Sequence, residues 1–129
     1  MQSFYKIQLL MTVLCVMPGA TLAEEPAVAE SLSWFAVEIS VGPGWDESIS
    51  PYEQAYFKEH SAHLAELRQA GHIVMGARYS DVGLLVIQAL AAEDVRDLMD
   101  GDPSMQAGTF QYSIYPMNIF YPGFVGKLK

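Results

Sequence analysis

Basic residues are scarce in this chain. Seven Lys and Arg stand against fifteen Asp and Glu among 129 residues, a net charge of −8. A nucleic-acid binder carries a basic patch or stripe, and a protein held on anionic lipid needs clustered Lys or Arg, so the charge argues against both. Cysteine is nearly absent, with Cys15 alone, and one cysteine cannot form an intramolecular disulfide. There is no Gly-rich phosphate loop and no Gly-x-Ser-x-Gly elbow, which removes the usual sequence signs of nucleotide or serine-hydrolase chemistry. Long apolar runs are lacking too. The only candidate, residues 7–17, is broken by Gln8 and Thr12 and falls short of the roughly 20 residues a membrane span needs.

What that short run does resemble is export machinery. Lys6 precedes it, Pro18 and Gly19 end it, and Thr21-Leu22-Ala23 places small residues at the third and first positions before Glu24. This is the layout of a signal peptide, residues 1–23, cleaved after Ala23. The expectation is a secreted or periplasmic protein with no membrane attachment after cleavage. Cleavage would remove Lys6 and Cys15 but no acid, leaving six basic and fifteen acidic residues and a net charge of −9. With 51% hydrophobic residues overall the chain can build a core, and 129 residues make one domain rather than two.

Beyond a flexible leader, 24–32, the segment Ser33–Val41 alternates, with Trp34, Ala36, Glu38 and Ser40 on one face and Phe35, Val37, Ile39 and Val41 on the other. Such alternation predicts a half-buried strand. Ser50-Pro51-Tyr52-Glu53 reads as a capping box with Pro at the first helical position, and Gly71 as the residue that closes the helix. At about 100° per residue, Tyr56, His60, Leu64 and Leu67 share one arc, with His63 about 60° to its side. The apolar runs 73–76 and 83–87 predict two strands joined through Arg78-Tyr79-Ser80-Asp81. A second helix is expected over Ala92–Asp100, a turn at Asp102-Pro103, and a last strand over 109–115 with Phe110, Tyr112 and Ile114 on one face. An aromatic tail, 118–129, follows.

The order β-α-β-β-α-β predicts an α+β domain of ferredoxin-like type, a four-stranded antiparallel sheet with two helices on one face. The uncovered face must be solvated, bind a ligand or pack on a second subunit, and a homodimer closing two sheets together is the economical solution.

His60 is the most informative titratable residue, since it lies mid-stripe on the first helix and imidazole changes charge near neutrality. It is either a hydrogen-bonded helix histidine or a general base. Asp102 before Pro103 reads on its own as a turn former; the alternative is a carboxylate that orients an imidazole, which only tertiary structure could bring to His60. His60-x-x-His63 lacks a third ligand at any recognised spacing, and Asp100-Gly101-Asp102 lacks the rest of a calcium loop, so no metal site is expected.

These residues also carry a resemblance. The run from His60 through Leu64, Leu67 and Gly71 to the apolar Ile73-Val74-Met75-Gly76 resembles the first-helix signature of the YCII-related domain family. Asp102-Pro103-Ser-Met-Gln-Ala107-Gly108-Thr-Phe110 resembles its second signature, and the strand Gly83-Leu-Leu-Val lies between them. The similarity spans residues 33–116, within a domain taken as 33–117.

The resemblance implies a dimeric α/β barrel and an active site pairing His60 with Asp102. Counting back from Gly71 places the family histidine at His60 rather than His63. Where the family has Gly-Pro this chain has Ala77-Arg78, which alters the pocket rim. Most members have no assigned reaction; one resembles a lyase that removes chloride from a chlorinated hydroxyquinol. The implied function is a lyase or isomerase without cofactor, moving a proton on a small aromatic or lactone-like substrate through a His60–Asp102 dyad. Arg78 and Tyr79 would meet an anionic or phenolic group. The alternative is a non-catalytic exported dimer that binds a small molecule or serves assembly.

Overall fold

The computed structural model describes residues 31–123. The expected signal peptide, most of the leader and the last six residues of the tail lie outside them. The elements are β1 (Ser33–Val41), a 3₁₀ turn (Pro51–Glu53), α1 (Phe57–Gln69), β2 (Ile73–Tyr79), β3 (Val82–Ala89), α2 (Ala92–Asp100), α3 (Pro103–Gln106) and β4 (Phe110–Met117). The four strands form one open antiparallel sheet in the order β2-β3-β1-β4. The architecture is therefore α+β, with three helices; the turn expected at Asp102-Pro103 is itself a short helix.

Strand alternation decides the two faces. Phe35, Val37 and Ile39 of β1 share a face with Leu85 and Ile87 of β3 and with Phe110 of β4. These side chains pack with Leu67 of α1 and with Val95 and Met99 of α2 into the core. The other face carries Trp34, Ala36, Glu38, Leu84, Val86 and Tyr115, and among them only Val86 is buried in the single chain. Both edge strands are irregular: β2 shifts register between Ile73 and Met75, and β4 contains Pro116.

The first helix begins later than the capping box suggests. The Glu53 carboxylate accepts the Ser50 hydroxyl at 2.7 Å and the Ser50 N–H at 3.2 Å, but the turn it closes is 3₁₀ and stops at Glu53. Gln54 is extended and buried, its amide clasping the backbone of Asp46 through Asp46 N–H and C=O. Ala55 C=O accepts the Thr109 hydroxyl at 2.8 Å. Tyr56 turns through a left-handed conformation at φ 60 and is half exposed, outside the helix stripe. Tertiary hydrogen bonds thus override local helix propensity across 54–56. At the other end Gly71, φ +85, closes α1; Gly71 N–H bonds Arg68 C=O and His72 N–H bonds Leu67 C=O. That is the paired bonding of a Schellman cap, which glycine adopts without Cβ strain.

The β2–β3 connection is shorter than the sequence reading placed it. Arg78 and Tyr79 belong to β2, and only Ser80 and Asp81 make the turn. Tail residues Phe120 and Tyr121 are exposed and meet edge-on, ring centroids 5.3 Å apart. No helix among the described residues is long and apolar enough to cross a membrane.

Candidate functional site

Forty-two residues separate His60 from Asp102, and three elements bring them together. His60 lies one turn into α1 with its side chain toward β4. Asp102 is the N-cap of α3, where a short carboxylate bonds the free amide two residues on and Pro103 sits at the first helical position. Its Oδ1 accepts Ser104 N–H at 2.9 Å and the Ser104 hydroxyl at 2.7 Å. That leaves Oδ2 for His60 Nδ1, 2.6 Å away. Asp102 and Ser104 are both fully buried.

The hydrogen-bond roles follow from this wiring. A carboxylate only accepts, so His60 Nδ1 carries the proton and donates it to Asp102. The Ser104 hydroxyl has given its hydrogen to Oδ1, so at 3.3 Å from Nδ1 it can only accept. Ser104 is fully buried and does not line the cleft, so its hydroxyl serves the Asp102–His60 wiring. Burial works to raise the Asp102 pKa, but hydrogen bonds from His60 and from the Ser104 hydroxyl and amide, with the imidazole's charge, outweigh it and hold the carboxyl below its ordinary value.

The second imidazole nitrogen has a different setting. Every buried side-chain polar atom among the described residues has a partner. Nε2 of His60 makes no hydrogen bond there, so it is the edge of the ring that reaches solvent, and His60 lines an open cleft of about 890 Å³. With Nδ1–H held by Asp102, the neutral ring presents a lone pair at Nε2. Phe110 packs against the imidazole, ring centroids 4.5 Å apart, and Trp45 and Phe57 flank Phe110 at 5.6 and 6.2 Å. The cleft is thus a mainly apolar cavity with an aromatic wall beside one positioned base, an arrangement suited to taking a proton from a bound carbon or oxygen acid.

Of the other residues singled out from sequence, Arg78 lines this cleft and Tyr79 does not. They are neighbours in a strand and point to opposite faces. The Tyr79 hydroxyl donates to Glu38 on the uncovered face, and that hydrogen bond, with burial and the nearby charge adding, raises the phenol pKa. His63 is separate from the dyad as well: its Nε2 lies 2.7 Å from Leu98 C=O, where it donates to a carbonyl in the last turn of α2. His72 is exposed just before β2. Among the described residues no three His, Cys, Asp or Glu side chains cluster in a way that would hold a metal ion.

Sequence reasoning passed over Ser104 and Trp45 and read Phe110 only as a strand residue. For Ser104 the signal was present: Asp-Pro-Ser is an N-cap, a first-turn proline and a hydroxyl next to the cap. For Trp45 there was none, because a loop residue gains its place from the Gln54 clasp. No protein-family model matches the chain, and no curated protein matches it.

Proposed function

We propose that the cleft is the active site of a small lyase or isomerase without cofactor, in which His60 Nε2 moves a proton and Asp102 fixes and charges the imidazole. The observation that carries this reading is the 2.6 Å contact of Nδ1 with a fully buried carboxylate while Nε2 is left free at an apolar cavity. Abstraction breaks a substrate C–H or O–H bond and forms Nε2–H. Return of that proton to another atom completes an isomerisation, and its release after loss of a leaving group completes an elimination; neither needs an oxidant or reductant. The aromatic walls favour a flat apolar substrate, in keeping with the aromatic or lactone-like class implied by the likeness to YCII-related domains.

The same reading extends to the assembly. The strand order and the helices packed over one face agree with a ferredoxin-like domain, and the apolar residues of the other face suit closure against a second copy as a dimeric α/β barrel. Residues 1–23 retain the layout of an export signal, which points to a secreted or periplasmic site of action. One observation favours a non-catalytic dimer instead: a buried His–Asp–Ser network is also an effective structural tie between α1 and α3.

Solvent deuterium exchange separates the two. The protein is incubated in D₂O with panels of aromatic acids, phenols and lactones, and exchange is followed by proton NMR. His60→Asn, whose amide sits near the Nδ1 position and keeps a donor to Asp102, is expected to retain a cooperative melt. It should slow exchange of the responsive class by about 100-fold or more. Exchange that ignores the substitution, or ligand binding in the cleft with no exchange in any class, would overturn the catalytic reading in favour of the structural one.

A further inference from the structure

We infer that the cleft is built to seat a small organic monoanion, with Arg78 reading its carboxylate. This rests on the proton-transfer reading for the purpose of the seat, but on separate residues for its chemistry. Four Lys and Arg fall among the described residues, at 58, 68, 78 and 96. Arg68 is spent on the carbonyls of Ile73 and Val74, at 3.0 and 2.7 Å, and Arg96 pairs with Glu93 at 3.4 Å. Lys58 does not line the cleft. Arg78 does, and it makes no hydrogen bond or ion pair with any described residue. A guanidinium that lines an apolar cavity without an ion-pair partner is open to a ligand, and its planar fork matches a carboxylate.

The strands beneath it give an independent sign. Arg78 pairs across the ladder with Gly83, which faces Ile39 on the next strand, and Gly76 pairs with Leu85. Both glycines line the cleft. Neither has a positive φ. Nor does packing require them: a Cβ at Gly83 would stand 3.6 Å from Ile39 Cβ, and one at Gly76 3.7 Å from Leu85 Cδ2, both ordinary contacts. Glycine within a strand costs stability relative to a side chain, and where neither turn nor crowding demands it, it makes room for something to approach. Here the room lies on the sheet floor beside the guanidinium, with the aromatic wall and His60 across from it.

The charge around the seat sets its valence. Among the described residues Arg78 is the one Lys or Arg lining the cleft; Asp81 lines it too, its carboxylate bonded to the Ser80 hydroxyl and outside ion-pair distance of Arg78. A single positive group next to an acid, in a protein of net charge −8, favours one negative charge and disfavours two.

The test uses three probes of similar body: benzoate, benzamide and phenyl phosphate. Affinities are measured by NMR titration for the wild type, Arg78→Gln, Gly83→Val and His60→Asn. Benzoate is expected to bind about tenfold or more tightly than benzamide, as a charge-assisted pair allows, and more tightly than phenyl phosphate. Arg78→Gln should erase the preference for benzoate, Gly83→Val should weaken every probe by filling the floor, and His60→Asn should leave the preference in place. Equal binding of benzoate and benzamide, a preference that survives Arg78→Gln, or benzoate binding indifferent to Gly83→Val would each overturn the proposal. The outcome is separable from the base reading, because deuterium exchange reports on His60 and the benzoate preference on Arg78.

Discussion

Asp102 begins a helix and steers an imidazole with one carboxylate, and the two tasks fall on different oxygens. Removing it therefore leaves several groups unpaired at once. Asp102→Ala is expected to cost about 3 kcal/mol, measured by urea denaturation, because the Ser104 amide and hydroxyl and His60 Nδ1–H lose their acceptor in a buried place. Asp102→Asn should cost less and act on the ring: an amide N–H facing Nδ1 favours the proton on Nε2, which withdraws the lone pair from the cleft. Nitrogen-15 spectra of the imidazole should show Nδ1–H in the wild type and Nε2–H in Asp102→Asn; an unchanged tautomer would refute the wiring.

The lowered Asp102 pKa also fixes the sign of a pH effect. Over the interval between the folded value and the unfolded value of about 3.9, the unfolded chain binds the proton and the native one does not, so stability rises with pH. The contribution is complete above the unfolded value and lost as pH falls through the folded one. The stability gap between wild type and Asp102→Asn should accordingly narrow on acidification below about pH 4.

At the scale of elements, the site depends on two turns that touch. Gly42 N–H bonds Thr109 C=O at 2.9 Å and Gly44 N–H bonds Gly108 C=O at 2.8 Å, fastening the loop after β1 to the start of β4. A Cβ at Gly42 would lie 2.2 Å from the Gly108 carbonyl oxygen, so neither backbone can yield without losing these bonds. Gly42→Ala is expected to cost about 3 kcal/mol and to displace Trp45 and Phe110 from the cleft, read as a lower urea midpoint and altered aromatic shifts. The hairpin turn offers the opposite case. Ser80 holds φ 50, a conformation glycine adopts freely, and Ser80→Gly should stabilise by about 0.5 kcal/mol in the same assay.

These elements also show where the sequence was readable. The alternation of β1 and the stripe of α2 were legible because each reports burial on a single local period. The capping box at Ser50 was legible as chemistry but not as extent, since the break at 54–56 is imposed by Asp46 and Thr109 from outside the segment. Strand β2 was hidden beyond its first residues because it is an edge strand, exposed at Gly76, Ala77, Arg78 and Tyr79, and lacks the contrast that marks a half-buried one. Placing Asp102 beside His60 came from the likeness to a known pattern; no local period relates positions so far apart. Ser104 differs, since its bonds to Asp102 are local to the Asp-Pro-Ser cap and only its approach to His60 is long-range.

At the scale of the molecule, helices cover one face of the sheet, and no described helix covers Trp34, Leu84 and Tyr115 on the other. If two copies close there, Leu84→Lys together with Tyr115→Lys should halve the mass seen in sedimentation while the circular dichroism of the fold persists. A wild type that sediments as a monomer at every concentration would refute the barrel. Glu38 and Tyr79 lie on this face, and their hydrogen bond supplies a polar tie within it.

The irregular sheet edges bear on how such copies avoid joining in the wrong way. An open sheet presents two rows of main-chain donors and acceptors on which another copy's strand can add without end, the growth mode of fibrils. Along β4 the row is interrupted at Pro116, which has no N–H to offer. Along β2 the shift between Ile73 and Met75 throws an incoming strand out of step. Both irregularities work against strand-by-strand polymerisation, and a proposed pairing through the apolar face would then stay closed and finite.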